Sequence, residues 1–192
     1  MAVTEQTQTS AQNNPWKLSV SRIVYAALGA ALYAGLSLLT NALQIGGGNV
    51  SLRPAIVIPL LFAVLFGPWV GLFAGGVGNL VADWISGGGV YWNWDLGNGL
   101  IGFIAGLAII YTLGRYYKTR NIVIAEIFSA VGVIIGIAFA SYTDIWVSKM
   151  TVQAATTVNF LPAGLTDLVN GLILLPILLV AYNAAVRRSG RS

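Results

Sequence analysis

The sequence predicts an all-α integral membrane bundle of six transmembrane helices with both termini in the cytoplasm, and three observations carry that reading. Hydrophobic residues make up 57% of the chain and charged residues only 8%, too little polar surface for a water-soluble domain of this length. Long apolar stretches recur from the first span to the tail. Basic residues gather at the ends of those stretches: Lys17 and Arg22 before the first, Arg115, Lys118 and Arg120 in the one strongly charged internal loop, and Arg187, Arg188 and Arg191 at the tail. Short cytoplasmic loops carry an excess of Lys and Arg, and six crossings place all of these on one side, leaving only Arg53 and Lys149 on the other. Topology thus accounts for the net charge of +4 without nucleic acid. His and Cys are absent, which excludes disulfides, thiol chemistry and the usual transition-metal ligands; no metal or other cofactor is expected.

Residues 1–16 are polar and lack the apolar core of a signal peptide, so they are expected to form a disordered cytoplasmic tail. A single membrane domain is expected over 17–188, with a second short tail at 189–192. The first span runs from about Leu18 to Leu39 and leads into a Gly-rich polar loop, 41–54. The block from Ala55 to Ile85 holds 31 residues, about 46 Å as one helix against a hydrocarbon core of roughly 30 Å. Gly67 and Pro68 lie near its middle and are strong turn punctuation. The block therefore divides into Ala55–Phe66 and Val70–Ile85. A single span here would also put the RYYKTR loop and the RRSGR tail outside. After the loop SGGGVYWNWD come spans at Leu96–Leu113, Ile122–Tyr142 and Leu161–Val186, with no internal repeat.

Polar residues divide by side. Asp83, Asp95, Asp144 and Asp167 fall at or just below the outer face, and around them gather Asn49, Trp92, Asn93, Trp94, Asn98, Tyr142, Asn159 and Asn170. Asn79 and Asp83 are four apart, and Asp95/Asn98 and Asp167/Asn170 three apart, so each pair shares a helix face. An ionisable group within a span costs roughly 2.5–3.5 kcal/mol on insertion scales and normally faces a bundle interior or a wet cavity. Asp167, about two turns into the last span, is the clearest case. In the run Trp92–Asp95, two Trp, an Asn and an Asp converge on a binding role, against the plainer reading that Trp84 and Trp146 illustrate, an interfacial aromatic belt. Asp83 and Asp144 have a plainer reading too, as ion-pair partners of Arg53 and Lys149. In the first span, small residues recur four apart, Ala26 with Ala30, Ala27 with Ala31 and Ala30 with Ala34, a face that admits another helix at close range.

Six spans in this length, the Ala27/Ala31 face in AALGAAL, a Gly-rich outer first loop and the run RPAIVIPLLFAVLFGPWVGLFAGGVGNLVAD together resemble the substrate-binding S component of an energy-coupling factor (ECF) vitamin transporter. The resemblance covers about Lys17 to Arg188. It implies a subunit of a bacterial or archaeal plasma membrane that binds a micronutrient near the outer surface, in a pocket built by the outer ends of spans four to six and capped by the first outer loop. It implies a transmembrane T component and two cytoplasmic ATPases as partners, with Ala27 and Ala31 on the docking surface, and a subunit that topples in the bilayer to carry its site inward. The absence of any phosphate-cradling motif fits hydrolysis by the partners. Trp beside carboxylates suits a flat, hydrogen-bonding, cationic molecule: a thiamine-like, pyridoxal-type or nucleobase-like compound, with flavin less favoured. Two other classes stay open, an aspartate-dependent intramembrane enzyme, favoured if Asp83 and Asp167 face each other, and a structural or pore-forming membrane protein.

Overall fold

The computed structural model describes residues 14–40, 44–45, 50–51 and 53–188. Among the described residues, every regular element is helical except for one minimal ladder. The elements are α1 (Val20–Thr40), β1 (Gln44–Ile45), β2 (Val50–Ser51), a 3₁₀ turn (Pro54–Ile56), α2 (Val57–Phe66), α3 (Pro68–Ile85), α4 (Trp92–Gly106), α5 (Ile109–Thr112), α6 (Thr119–Val147), α7 (Val152–Ala154), a π-helical stretch (Ala155–Phe160) and α8 (Leu161–Arg188). The two strands pair antiparallel, Gln44 opposite Ser51 and Ile45 opposite Val50.

Among the described residues, four helical stretches are long and apolar enough to cross a membrane: Val20–Thr40, Trp92–Thr112, Thr119–Val147 and Val152–Arg188. Pro54–Phe66 is apolar but shorter, and α3 is diluted by its glycines, Asn79 and Asp83. Of the two, α2 is the one that the protein itself surrounds, whereas α3 keeps Phe73 and Val77 exposed. Ile56, Leu60 and Val64 of α2 and the turn before it lie in the core with Ile101, Ile137, Leu175 and Leu179, so α2 is a central post, about 15 Å long. The outer helices instead expose Leu28 and Leu32, Ile127 and Ile134, Leu172 and Ile177, the apolar face that lipid requires.

The break predicted inside 55–85 falls where it was placed. Gly67 closes α2 with φ +107°, a conformation open to a residue without Cβ, and Pro68 opens α3, where its missing N–H leaves nothing unpaired. Beyond it, α3, α4 and α6 meet backbone to backbone. A Cβ on Gly71 would overlap the Gly102 carbonyl, and one on Gly136 would overlap that of Gly97. The pairing of Gly71 with Gly102, Gly75 with Asn98 and Gly106 with Pro68 makes α3 and α4 antiparallel, and Gly132 against Ile101 does the same for α4 and α6. Such contacts let dispersion and close packing replace the hydrophobic effect that lipid does not supply.

The contacts sort the chain into two ends. At one, the Asn183 side chain donates to the Tyr116 carbonyl at 2.6 Å and the Tyr116 hydroxyl to the Val64 carbonyl at 2.6 Å, with Trp16 6.3 Å from Phe103, ring to ring. At the other lie Arg53, Asp83, Asp95, Asp144 and Asn159. One boundary differs from expectation. α4 begins at Trp92, so Trp92–Asp95 form its first turn rather than a loop.

Candidate functional site

Arg53 stands just before the turn that opens α2, and its half-buried guanidinium joins four helices. One nitrogen donates to the Tyr33 hydroxyl at 3.0 Å and to Oδ1 of Asn79 and of Asn98, each at 3.4 Å. The other lies 3.8 Å from Oδ2 of Asp167, which is fully buried on α8. Tyr33 reaches this point because Gly78 leaves room for its ring, and its hydroxyl donates to Oδ1 of Asn98 at 2.8 Å. Asn79 donates to Oδ2 of Asp83 and to Oδ1 of Asp95, both at 2.9 Å. The second oxygen of Asp95 is buried and has no partner among the described residues.

Beside this network opens a cleft of about 340 Å³ lined by Ser37 and Thr40 of α1, Arg53 and Ala55, Asn79, Ala82 and Asp83 of α3, and Tyr91 and Trp94. Its volume lies in the range of small-molecule sites. The lining supplies donors from Arg53, an acceptor in Asp83, and an aromatic plane in Trp94. That plane is fixed, since the indole N–H donates to Oδ2 of Asp144 at 3.0 Å.

Asp144 anchors a second cluster. Besides Trp94 it accepts from Asn93 at 2.9 Å, Ser148 at 3.0 Å and Asn159 at 2.8 Å, and Asn93 also donates to the Ala140 carbonyl at 3.0 Å. A carboxylate with four donors is compensated without a cation. It ties α4, α6 and the π-helical stretch together and fixes the tryptophan that faces the cleft.

The residues singled out in the sequence therefore separate. Asp83 and Trp94 line the cleft, while Asp95, Asn98 and Asp167 hold the network behind it. Asn93, Asp144 and Asn159 form the strut. Trp92 is exposed at the head of α4. Tyr142 precedes Asp144 on α6, and its hydroxyl lies 3.3 Å from that of Thr156 and its ring 5.7 Å from that of Phe160. Asn170, one turn after Asp167, buries an amide nitrogen without a partner among the described residues. Asn49 lies outside the described residues. The plain ion-pair reading is replaced: Arg53 takes Asp167 rather than Asp83, and Asp144 takes uncharged donors rather than Lys149. The cleft opens among α1, α3 and α4, whereas the resemblance points to spans four to six.

Sequence reasoning missed Arg53, Tyr33 and Asn79 as site residues. Arg53 did carry a signal, as a basic residue beside a span on the side that the other basic clusters avoid. Tyr33 is the one large polar side chain in a run of small residues, and Asn79 was noted only for its spacing.

On the outside of α1, Ala27, Ala31 and Gly35 are exposed one turn apart. Ala27 also lines an apolar groove of about 390 Å³ between α1 and α3, with Ile23, Ala26, Ala30, Trp69, Phe73 and Val77.

Residues 17–184 match the family model described as ECF-type riboflavin transporter, S component. The chain is 35% identical to a UPF0397 protein of Aliivibrio salmonicida (strain LFI1238) over 131 residues, 66% of this chain and 71% of the relative. It is 30% identical to a UPF0397 protein of Vibrio atlanticus (strain LGP32) over 156 residues, 79% and 85% of the two chains.

Proposed function

The chain belongs to the family of ECF-type riboflavin transporter S components, and from that premise we propose that it is the membrane-embedded substrate-binding subunit of an energy-coupling importer for a vitamin or related micronutrient. The family is one of transport subunits, not of enzymes. The observation that carries the reading is the cleft at the Arg53 end, where a guanidinium, a carboxylate and a fixed indole converge. Asp167 engages Arg53 and Asp83 engages Asn79, so the facing aspartates of a hydrolase are not what this geometry favours.

In this reading residues 17–188 are one six-span domain, with the tails 1–16 and 189–192 in the cytoplasm, the Tyr116 end inside and the Arg53 end outside. The alternation of the two ends along the chain and the basic residues at one of them support it. Single Cys substitutions test it without background, since the chain has no Cys. Cysteine at Val90 and Gln153 is expected to react with an impermeant thiol reagent in intact cells, and at Lys118 only after permeabilisation. Outside labelling at 118 would refute the orientation. Val90 is preferred to its neighbour Gly89, whose φ of +94° strains any side chain.

Arg53 and Asp83 give the cleft one charge of each sign, which favours a neutral planar heterocycle with donors and acceptors on its edge. Riboflavin, the vitamin in the family's description, meets that requirement, as do nucleobase-like and pyridoxal-type compounds. A cationic thiamine-like ligand would face the guanidinium and ranks below them. Trp94 would stack on the ring, Arg53, Asn79 and Asp83 would bond its edge, and Asp95, Asn98 and Asp167 would hold those groups in place.

Titration of the purified protein in mild detergent with riboflavin, pyridoxine and thiamine, together with mass spectrometry of whatever co-purifies, checks the assignment. One ligand is expected to bind, with affinity lower by up to about tenfold in Trp94→Ala and by about tenfold or more in Asp83→Asn, from about 0.5–1.5 kcal/mol for the stacking plane and 1.5–3 for a bond to a charged group. Wild-type affinity in both variants would place the pocket elsewhere. Transport itself would require a transmembrane T component and two ATPases, docked through Ala27 and Ala31.

A further inference from the structure

The end opposite the cleft carries a second built cavity. Arg115 and Lys118 from the α5–α6 connection, Arg120 from the first turn of α6 and Arg187 from the end of α8 line an opening of about 730 Å³, with Tyr111 and Tyr117 among its walls. The sequence explains these charges by topology alone, and topology asks only that they lie on one side. The fold does more, bringing residues from the middle and the end of the chain to one opening. Its walls are held in place. Tyr116 is buried and bonded to α2, Asn183 bonds the connection to α8, and the Arg187 guanidinium stands 5.2 Å from the centre of the Tyr117 ring. Among the described residues none of the four basic side chains makes an ion pair. Tyr111, Leu113 and Tyr117 meanwhile expose apolar surface at the same level.

We propose that this opening binds the headgroup of an anionic phospholipid from the cytoplasmic leaflet. Converging unpaired cations suit a phosphate diester, and arginine in particular can engage two of its oxygens at once. The tyrosines and Leu113 provide the amphipathic border that the glycerol and upper acyl region need. A soluble anion would have no use for that border. The proposal rests on the orientation given above, and it is independent of which vitamin the other end binds.

The test uses the full chain in mild detergent, with lipid retention read by native mass spectrometry. The probes are phosphatidylglycerol, phosphatidylcholine and inorganic phosphate. Phosphatidylglycerol is expected to be retained over phosphatidylcholine, and retention is expected to fall about fivefold for each of Arg115→Gln, Lys118→Gln and Arg187→Gln. Lys118→Arg, which keeps the charge, and Lys17→Gln, a basic residue of the same end but outside the opening, are expected to stay within about twofold of wild type. Equal retention of the two lipids, or equal loss in Lys17→Gln, would overturn the proposal, as would displacement of the lipid by an equal concentration of phosphate. Vitamin binding is expected to be unchanged in all these variants, so a failure here is distinguishable from a failure of the importer reading.

Discussion

Arg53→Met is expected to destabilise the protein by about 3–5 kcal/mol, the usual cost of removing one partner of a buried charge pair, and to abolish ligand binding as well. Asp167 is fully buried, its two oxygens have no hydrogen-bond partner among the described residues, and Arg53 at 3.8 Å is the cation that compensates it. Methionine matches the arginine stem in length and leaves the buried carboxylate without its cation. The double variant Arg53→Met/Asp167→Leu removes both charges and is expected to regain most of the stability, since apolar replacements of a whole buried pair are often neutral or better. Its ligand binding should stay lost. Thermal unfolding in mild detergent and ligand titration read the two effects separately. A single variant as stable as wild type would mean that the pair does not support the fold.

Ala27→Trp and Ala31→Trp are expected to reduce uptake by the assembled transporter to background while leaving the ligand affinity of the isolated subunit within about twofold, since close helix approach depends on small side chains at the contact. Both alanines are exposed on α1 and point away from Tyr33 and the cleft. Neither lines the cleft, so a bulky ring there leaves the cleft's lining residues in place. Radiolabelled vitamin uptake by cells, set against titration of the purified variants, makes the comparison. Loss of affinity equal to the loss of uptake would remove the docking role from this face.

The helical order was legible because it depends on local chemistry. The division at Gly67–Pro68 needed only a residue that tolerates positive φ followed by one that fits the first helical position, and both are visible as letters. The first turn of α4 shows where local reading fails. Tyr91 and Trp92 look like a loop by composition, but once the helix starts at Trp92 its rotation of about 100° per residue turns Asn93 toward α6 and Trp94 toward the cleft. Asp144 was legible as an outer-face carboxylate and illegible as a strut, because its donors come from α4 and from residues past the end of α6. Arg53 was conspicuous for lying on the sparsely charged side. Its partner, Asp167, is on the last helix, and no spacing rule links residues that distant.

The backbone contact of α3, α4 and α6 has a consequence for how this sequence can change over time. At Gly71 and Gly102, each residue occupies the space that the other's side chain would need, so no single substitution at either is accommodated unless both helices move apart. Gly97 and Gly136 repeat the condition one helix further on. Replacement along this seam requires coordinated steps whose intermediates fold poorly, whereas the exposed aliphatic residues of α6 and α8 exchange with one another at little cost. Descendants of this chain are therefore expected to drift freely on the lipid face and to keep the three-helix seam, inheriting the distance between Asn79, Asp95 and Asn98 along with it.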